Sequence, residues 1–455
     1  MAQQYHASHG SPYAGAVNIF NNPASSVNSV YKWDLNILSS QTTISTNHLN
    51  LENFSYKNPG NTVLNVDDGT NSYFGHQSTD LNLFSFQFQP NNKQAFSIAF
   101  RGRMYDHIKI NPVAFSDTIT TFYSFLKMNR SNPPLGGYMT HAGFLEVNLN
   151  YSQELIATSN SRLTGGINLN ISRAISGMYA KSNRVATSEI RNGLDTNYYF
   201  VDGRLEYGYS ENYDANASST NAATAKAFLK NSKTNFGLSL GLEFTTYKDA
   251  VEEGGIYHPL AYDWKIGLSI MDIGNNSFKP STTSASYSEP SIITDYATLE
   301  NKFNNIGSLI DLKDTLKTIF NSYDSLSNTI VISKPTRVIL NVDKNLGNHF
   351  AINAALNMNL FSTANYKHLR TRETNLLTIT PRWENILWGF YLPMQYNSQG
   401  QVWIGAAIKM GPLTIGLHDI SGGKRIKSVN GGGYLLLSIH PFNKKKVLTR
   451  LDCPI

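Results

Sequence analysis

The sequence predicts an all-β protein: a single-chain transmembrane antiparallel β-barrel of about 14 strands, with an N-terminal plug and one helical insertion. Three observations predict it. Apolar and polar residues alternate with a period of two over long stretches, as in strands with one apolar face. The polar faces of those stretches carry Asn, Ser, Thr and Gly rather than charges, which suits a wet lumen. Charged residues are 15% of the chain and aromatics 12%, with 25 Tyr and 23 Phe, whereas a soluble domain carries roughly 25% charged residues. Mean hydropathy is −0.29, and no apolar run approaches the roughly 18 residues of a transmembrane helix.

The chain is divided as 1–30, 31–442 and 443–455. Residues 1–30 are rich in Gly, Ser, Ala and Asn without alternation, and are read as a plug. Five runs alternate clearly: 145–152, 163–172, 235–244, 262–270 and 350–360. Leu145, Val147, Leu149 and Tyr151 face away from Glu146, Asn148, Asn150 and Ser152, for example. Runs of about 9–11 residues suit a tilted membrane strand. Tyr151, Phe236, Phe244, Tyr262 and Phe350 fall toward run ends, where interfacial girdles lie. Further strands are expected near 31–42, 81–89, 94–104, 196–209, 334–343, 374–381, 385–394, 401–409, 412–418 and 432–442. That makes fifteen candidates. A single-chain bacterial barrel has an even number, so 14 are assigned to the barrel and one to a loop or plug. The segments 43–80, 105–140, 173–194 and 211–232 are read as external loops. Residues 292–326 switch period: Leu299, Phe303, Ile306 and Ile310, then Leu316 and Ile319, recur at helical spacing. An insertion of this kind either caps a barrel mouth or docks a partner. Lys444–Lys446 give the tail its basic character.

Three stretches, in order along the chain, resemble known barrels. Asn22-Pro23-Ala24 resembles the Asn-Pro-Ala element in the plug of FadL-like barrels. Gly267-Leu268-Ser269-Ile270-Met271-Asp272-Ile273-Gly274, followed by an insertion and then Lys334-Pro335-Thr336-Arg337, resembles a strand-end motif of Bacteroidota outer-membrane barrels. Gly411 to Gly416 with Tyr434 to Pro441 resembles their last hairpin. The group includes the PorP/SprF family, which is tied to type IX secretion and gliding. A FadL-like kinship implies fourteen strands and lateral transport of hydrophobic molecules. A PorP/SprF-like kinship implies anchoring or export of surface adhesins.

The net charge of +6 and pI near 9.0 are spread along the chain, so no nucleic-acid partner is expected. With one cysteine, Cys453, neither an intramolecular disulfide nor a cysteine-built metal site can form. No Walker loop, HExxH or G-x-S-x-G elbow is present. His6 and His9 read as a solvated terminal pair, not a metal site. Asp106 and His107 are neighbours on a strand and point to opposite faces. Arg101 with Arg103, Arg204 with Glu206, and Asp263 with Lys265 each share a face. They are candidate lumen charges, either an ion-pair network or a selectivity ring. The expectation is a non-enzymatic barrel of the cell outer membrane, its signal peptide removed, with no cofactor or metal. It would touch outer-membrane lipid and other envelope proteins, as a subunit or anchor of a secretion, surface-anchoring or assembly machine. The alternative is a FadL-like transporter of small hydrophobic molecules.

Overall fold

The computed structural model describes residues 8–52, 63–130, 132, 135–193, 195–216, 232–250, 257–291, 295–304, 306–361, 368–420 and 430–441. Fourteen antiparallel strands close into one barrel. They are β1 (Trp33–Thr46), β2 (Gly69–Asn91), β3 (Gln94–Phe115), β4 (Leu135–Ala157), β5 (Ser161–Asn192), β6 (Lys233–Tyr247) and β7 (Tyr262–Phe278). The second half is β8 (Arg337–Gly347), β9 (Phe350–Asn359), β10 (Leu376–Glu384), β11 (Trp388–Tyr391 and Met394–Asn397), β12 (Val402–Ile404 and Ala406–Met410), β13 (Leu413–Leu417) and β14 (Gly431–Ile439). Each pairs with the next, and β1 closes on β14 from Leu35↔Ile439 to Ile44↔Gly431. Closure leaves the barrel no open edge, which is what a sheet in lipid requires.

The alternation explains which side is which. Phe96, Phe100, Leu145, Leu149, Leu169 and Phe236 are exposed, whereas Ser97, Arg101, Glu146, Asn148, Asn150 and Asn168 are buried. Apolar groups therefore form the outer belt and polar groups fill the interior, the arrangement of a membrane-spanning barrel. Short turns, as at Asn91–Gln94 and Gly347–Phe350, gather at one end. Most of the long connections leave from the other, while the one from Tyr247 to Tyr262 lies at the turn end.

Fifteen strand candidates become fourteen because the strand Asp195–Tyr209 is not in the barrel. It pairs with the outer part of β5, from Met178↔Tyr209 to Asn192↔Asp195. It then pairs with Ala285–Pro290, which pairs with Phe320–Ser325. This sheet extends beyond the long-loop end. Helices α1 (Phe122–Asn129), α2 (Tyr296–Phe303) and α3 (Leu309–Lys317) join it. Each helix has a side-chain N-cap, from Thr121, Asp295 and Ser308 respectively. The extension has its own core of Phe200, Tyr207, Tyr287, Leu316, Ile319 and Phe320.

Several expectations are corrected here. The segments read as loops at 43–80 and 173–194 are largely strand among the described residues, and 105–140 is strand at its two ends around α1, because β1, β2, β3, β4 and β5 continue past the belt. Beyond the belt both faces meet water or protein, so the apolar alternation that marks a membrane strand is lost. The helical period at 292–326 holds only for α2 and α3, since Phe320–Ser325 is a strand of the extension. The insertion packs into the extension's core. His9 is buried, at 3% exposure, and not solvated. The basic tail, His6, Cys453 and much of 211–232 lie outside the described residues.

Candidate functional site

The interior is filled from both directions. From the turn end, the N-terminal segment enters as two 3-10 helices, Gly15–Phe20 and Pro23–Asn28, whose twelve residues are all buried. Asn22 caps the second: its Oδ1 accepts from the Ala24 N–H at 3.0 Å, and Pro23 occupies the first helical position, where it needs no donor. The Asn22 Nδ2 donates to the Leu242 carbonyl at 3.0 Å on β6. The wall makes room for this element with three glycines. A Cβ at Gly166 on β5 would lie 2.3 Å from the Pro23 carbonyl carbon, one at Gly241 on β6 2.0 Å from Asn22 Oδ1, and one at Gly267 on β7 2.8 Å from Asn22 Nδ2. Gly166 and Gly241 are directly paired across the ladder. The Asn-Pro-Ala element thus sits in a glycine cradle on the lumen side.

Polar contacts hold the rest of the plug. Ser25 Oγ and Asn28 Nδ2 both donate to Glu243 at 2.6 Å. Gln89 Nε2 donates to the Ser26 carbonyl at 2.7 Å, and Ser269 Oγ to the Asn21 carbonyl at 2.7 Å. The Ala16 N–H donates to Asp34 at 2.8 Å, and Ser11 Oγ to Glu384 at 2.7 Å. Lys265 Nζ reaches the Gly10 carbonyl at 2.5 Å. Beside these, Arg382 holds Asp343 with two N–H groups, at 2.5 and 3.0 Å, and Glu384 with Nε at 2.8 Å. Burial lowers the His9 imidazole to about 4, against the opposing pull of Asp343. It raises the Tyr13 hydroxyl to about 12.

Above the plug lies a second, denser cluster. Arg103 donates to both oxygens of Asp272, at 2.8 and 3.0 Å, and Arg337 donates to the same carboxylate. Arg101 Nε donates to Glu146 at 2.9 Å, and Lys334 Nζ to Glu146 at 3.1 Å. Asp80 and Glu373 complete the set at 3.4 to 3.9 Å. The cations Arg101, Arg103, Lys334 and Arg337 face the anions Asp80, Glu146, Asp272 and Glu373, so formal charge cancels. The Arg101 guanidinium also stacks on plug residue Phe20, 4.0 Å from its ring centroid. A ring of one sign, as ion selectivity needs, is not what these residues make. They make a buried, charge-balanced lock.

Of the sequence-predicted charges, Arg101, Arg103 and Lys265 are in this interior. Arg204 and Glu206 are not: they lie on the extension strand, with Arg204 exposed and Glu206 accepting from Tyr179. Asp263 lies at the turn-side rim, where Lys344 donates to it at 2.8 Å. A register shift between Tyr262 and Trp264 turns Tyr262 and Lys265 inward and leaves Asp263 at the rim. The same bulge takes Tyr262 out of the outer girdle and puts its hydroxyl on Asp343 at 2.6 Å. Asp106 and His107 do diverge, outward and inward. Of the helical residues, Leu299, Leu316 and Ile319 are buried in the extension and Ile306 is half-buried, so only Phe303 and Ile310 stay exposed.

Sequence reasoning missed the cluster's hub. Asp272 breaks the alternation of β7. A bulge between Ile270 and Ile273 and a φ of 57° bring both Met271 and Asp272 inward. An Asp tolerates that left-handed backbone better than most residues. The signal was present, since the two motifs singled out above, Gly267–Gly274 and Lys334–Arg337, supply Asp272, Lys334 and Arg337. The strand Ile330–Ser333 folds back on the end of β7 and carries Lys334 into the lumen.

The model of a family of unknown function, DUF5723, matches residues 23–418. No curated protein matches the chain. Among solved structures, the toluene transporter TbuX of Ralstonia pickettii is similar at 10% identity, with 94% of each chain covered and a TM-score of 0.41. A FadL homologue of Pseudomonas aeruginosa is similar at 11% identity, covering 95% of this chain and 96% of its own, with a TM-score of 0.42. The toluene transporter TodX of P. putida is similar at 9% identity, with 95% of each chain covered and a TM-score of 0.41.

Proposed function

The chain belongs to DUF5723, a family of unknown function, and we propose that it is a closed-lumen barrel of the outer membrane serving as a subunit or anchor of an envelope machine. The observation that carries this reading is the interior, where a polar-bonded plug meets a charge-balanced cluster. A solute pathway along the axis would have to break both. What is left free to act is the outside. The extension exposes Phe303, Leu309 and Ile310 on neighbouring helices, a small apolar surface beyond the belt that suits a protein partner. Type IX secretion, adhesin anchoring or outer-membrane assembly, implied by the PorP/SprF-like motifs, are the machines this fits. Two measurements test it. Reconstituted in a planar bilayer, the full chain should show no stable conductance. Purified from its native membrane in mild detergent, it should carry a stoichiometric envelope protein, lost on Phe303→Ser with Ile310→Ser. Open channels, or a chain that elutes alone, would sink the reading.

One observation favours FadL-like transport instead. Directly outside the glycine cradle, the outer wall has an apolar groove of about 490 Å³, lined by Leu155, Ile167, Leu240, Leu242, Leu268 and Ile270. Plug and groove are separated only by the backbone of β5–β7. The ladder there is unbroken from Ser161↔Thr246 to Ala174↔Lys233, so transport would require strands to part. Uptake of a hydrophobic solute into vesicles carrying the wild-type barrel would decide for this reading.

A further inference from the structure

Outside the lumen, one group of side chains is arranged for chemistry. Asp106 on β3, His141 on β4 and Ser176 on β5 lie side by side across three adjacent strands. Asp106 pairs directly with His141 in the register. Asp106 Oδ1 is 2.7 Å from His141 Nδ1, and His141 Nε2 is 2.8 Å from Ser176 Oγ. With the Nδ1 proton donated to the carboxylate, Nε2 accepts from the serine hydroxyl. That is the connectivity of a Ser–His–Asp triad, which is recognised by geometry rather than by position in the chain. From this geometry we infer that the barrel carries a serine acyl-hydrolase site on its outer wall, facing esters of membrane lipids.

The placement argues for the substrate class. All three side chains point away from the lumen. On β3 the outward series toward the turns is Met104, Gly102 and Phe100, and beyond Asp106 it continues with exposed Ile108 and Ile110, so Asp106 stands within an apolar outer face. On β5 Arg173, exposed on the same face, sits three residues before Ser176, on its belt side and paired with Leu145. An acyl ester at the membrane surface would meet the triad with its chain along the belt. The backbone is also prepared. Register runs Ala174↔Phe144 and then Ser176↔Gly143, so Ile175 is a bulge that turns Ser176 outward, against the inward Ser172 and Ala174. Gly143 leaves the space, since a Cβ there would lie 2.4 Å from Ser176 Oγ. On the far side, the ladder to β6 ends at Ala174↔Lys233, and the ladder to Asp195–Tyr209 starts at Met178↔Tyr209. Among the described residues, Ile175 and Ser176 have no ladder partner there.

The reaction balances with water as the second reactant. Ser176 Oγ bonds to the ester carbonyl carbon as its proton passes to His141 Nε2. The C–O bond to the alcohol breaks, and the alcohol leaves with that proton. Water then attacks the acyl-serine, giving its proton to His141. The acid departs and Ser176 regains its hydrogen. Asp106, with 42% side-chain exposure, is a positioning residue that holds the imidazole tautomer.

The test uses the full chain in detergent micelles, exposed to a fluorophosphonate probe and to micellar phospholipid. The wild type should form an adduct that mass spectrometry places on Ser176, and should release fatty acid. Ser176→Ala, shown folded by heat-modifiable migration, should lose release at least about 100-fold. Asp106→Asn should lower kcat with KM unchanged. No adduct on Ser176, no fatty acid released by the wild type, or release unchanged in Ser176→Ala would each overturn the inference.

Discussion

Replacing Asp272 by Asn tests whether the interior is a lock. The carboxylate receives two N–H groups from Arg103 and one from Arg337, and all three side chains are at most 1% exposed. The amide keeps the shape and removes the charge. The remaining carboxylates stand farther off, Glu146 at 3.7 Å from Arg103 and Glu373 at 3.9 Å from Arg337, so they offset only part of the lost charge. Removing one partner of a buried pair costs about 3–5 kcal/mol, because the other charge stays buried. That is about two to four decades in the unfolding equilibrium constant. Equilibrium urea unfolding in lipid vesicles, read through the five tryptophans, measures it. Asp202→Asn is the internal control. Arg184 meets Asp202 at 2.8 Å too, but with side chains 79% and 47% exposed, so its loss should cost under about 1 kcal/mol. Asp272→Asn with Arg337→Met should recover part of the loss. Equal, sub-kilocalorie effects for the two single variants would refute the claim that the cluster holds the lumen shut.

Other outcomes follow from the same geometry. His9 is neutral in its buried site, with Asp343, Arg382 and Lys265 around it. Its folded value lies below the unfolded one, so its contribution is present above pH 6.5 and lost as pH falls toward 4. That amounts to about 2 kcal/mol at pH 5. Hydrogen exchange of residues 15–28 should quicken from pH 7 to pH 5, beyond the intrinsic rate change, in the wild type and not in His9→Asn. A matching response in both would remove His9 from the account. Gly241→Val drives a side chain into Asn22 and should unseat the plug, at a cost of about 1–3 kcal/mol. The sign would be faster exchange at 22–28 with the barrel still heat-modifiable. Arg204→Ala should leave both stability and conductance unchanged, and a new conductance would return Arg204 to the lumen.

The barrel was legible because lipid imposes a strict rule on one face. Leu145 to Tyr151 and Phe350 to Leu360 read as strands since every second residue must be apolar. Where lipid stops, so does the rule, and the outer halves of β3 and β5 looked like loops. The helical period of 292–326 was legible for the same kind of reason in α2 and α3. It overran into Phe320–Ser325 because Ile319, Phe320 and Tyr323 serve a sheet core at spacings a helix could share. The lumen was half legible. Arg101 and Arg103 stood out as charges facing away from phenylalanines, but Asp272, Arg337 and Glu373 meet only through the strand order.

What sequence alternation cannot carry is a break in itself. Three bulges decide the chemistry. One at Tyr262/Trp264 sends Lys265 to the plug and Asp263 to the rim. One at Ile270/Ile273 turns Asp272 inward to Arg103 and Arg337. One at Ile175 turns Ser176 outward to His141. A one-residue slip exchanges the two faces of every residue beyond it, so each bulge moves a polar group between the polar interior and the outer wall or rim. Without the third, Ser176 would face the lumen with Ser172 and Ala174, and His141 would have Asp106 but no hydroxyl. Bulges concentrate beside functional sites because they re-aim single side chains without unmaking the sheet. In this barrel these three sit at the plug seat, the central ion cluster and the outer serine. Deleting Ile175 therefore makes a sharp separation: the ladder should re-register and the barrel should still migrate as folded, while any reactivity of Ser176 is lost. A deletion that leaves Ser176 reactive would show that the bulge does not set its face.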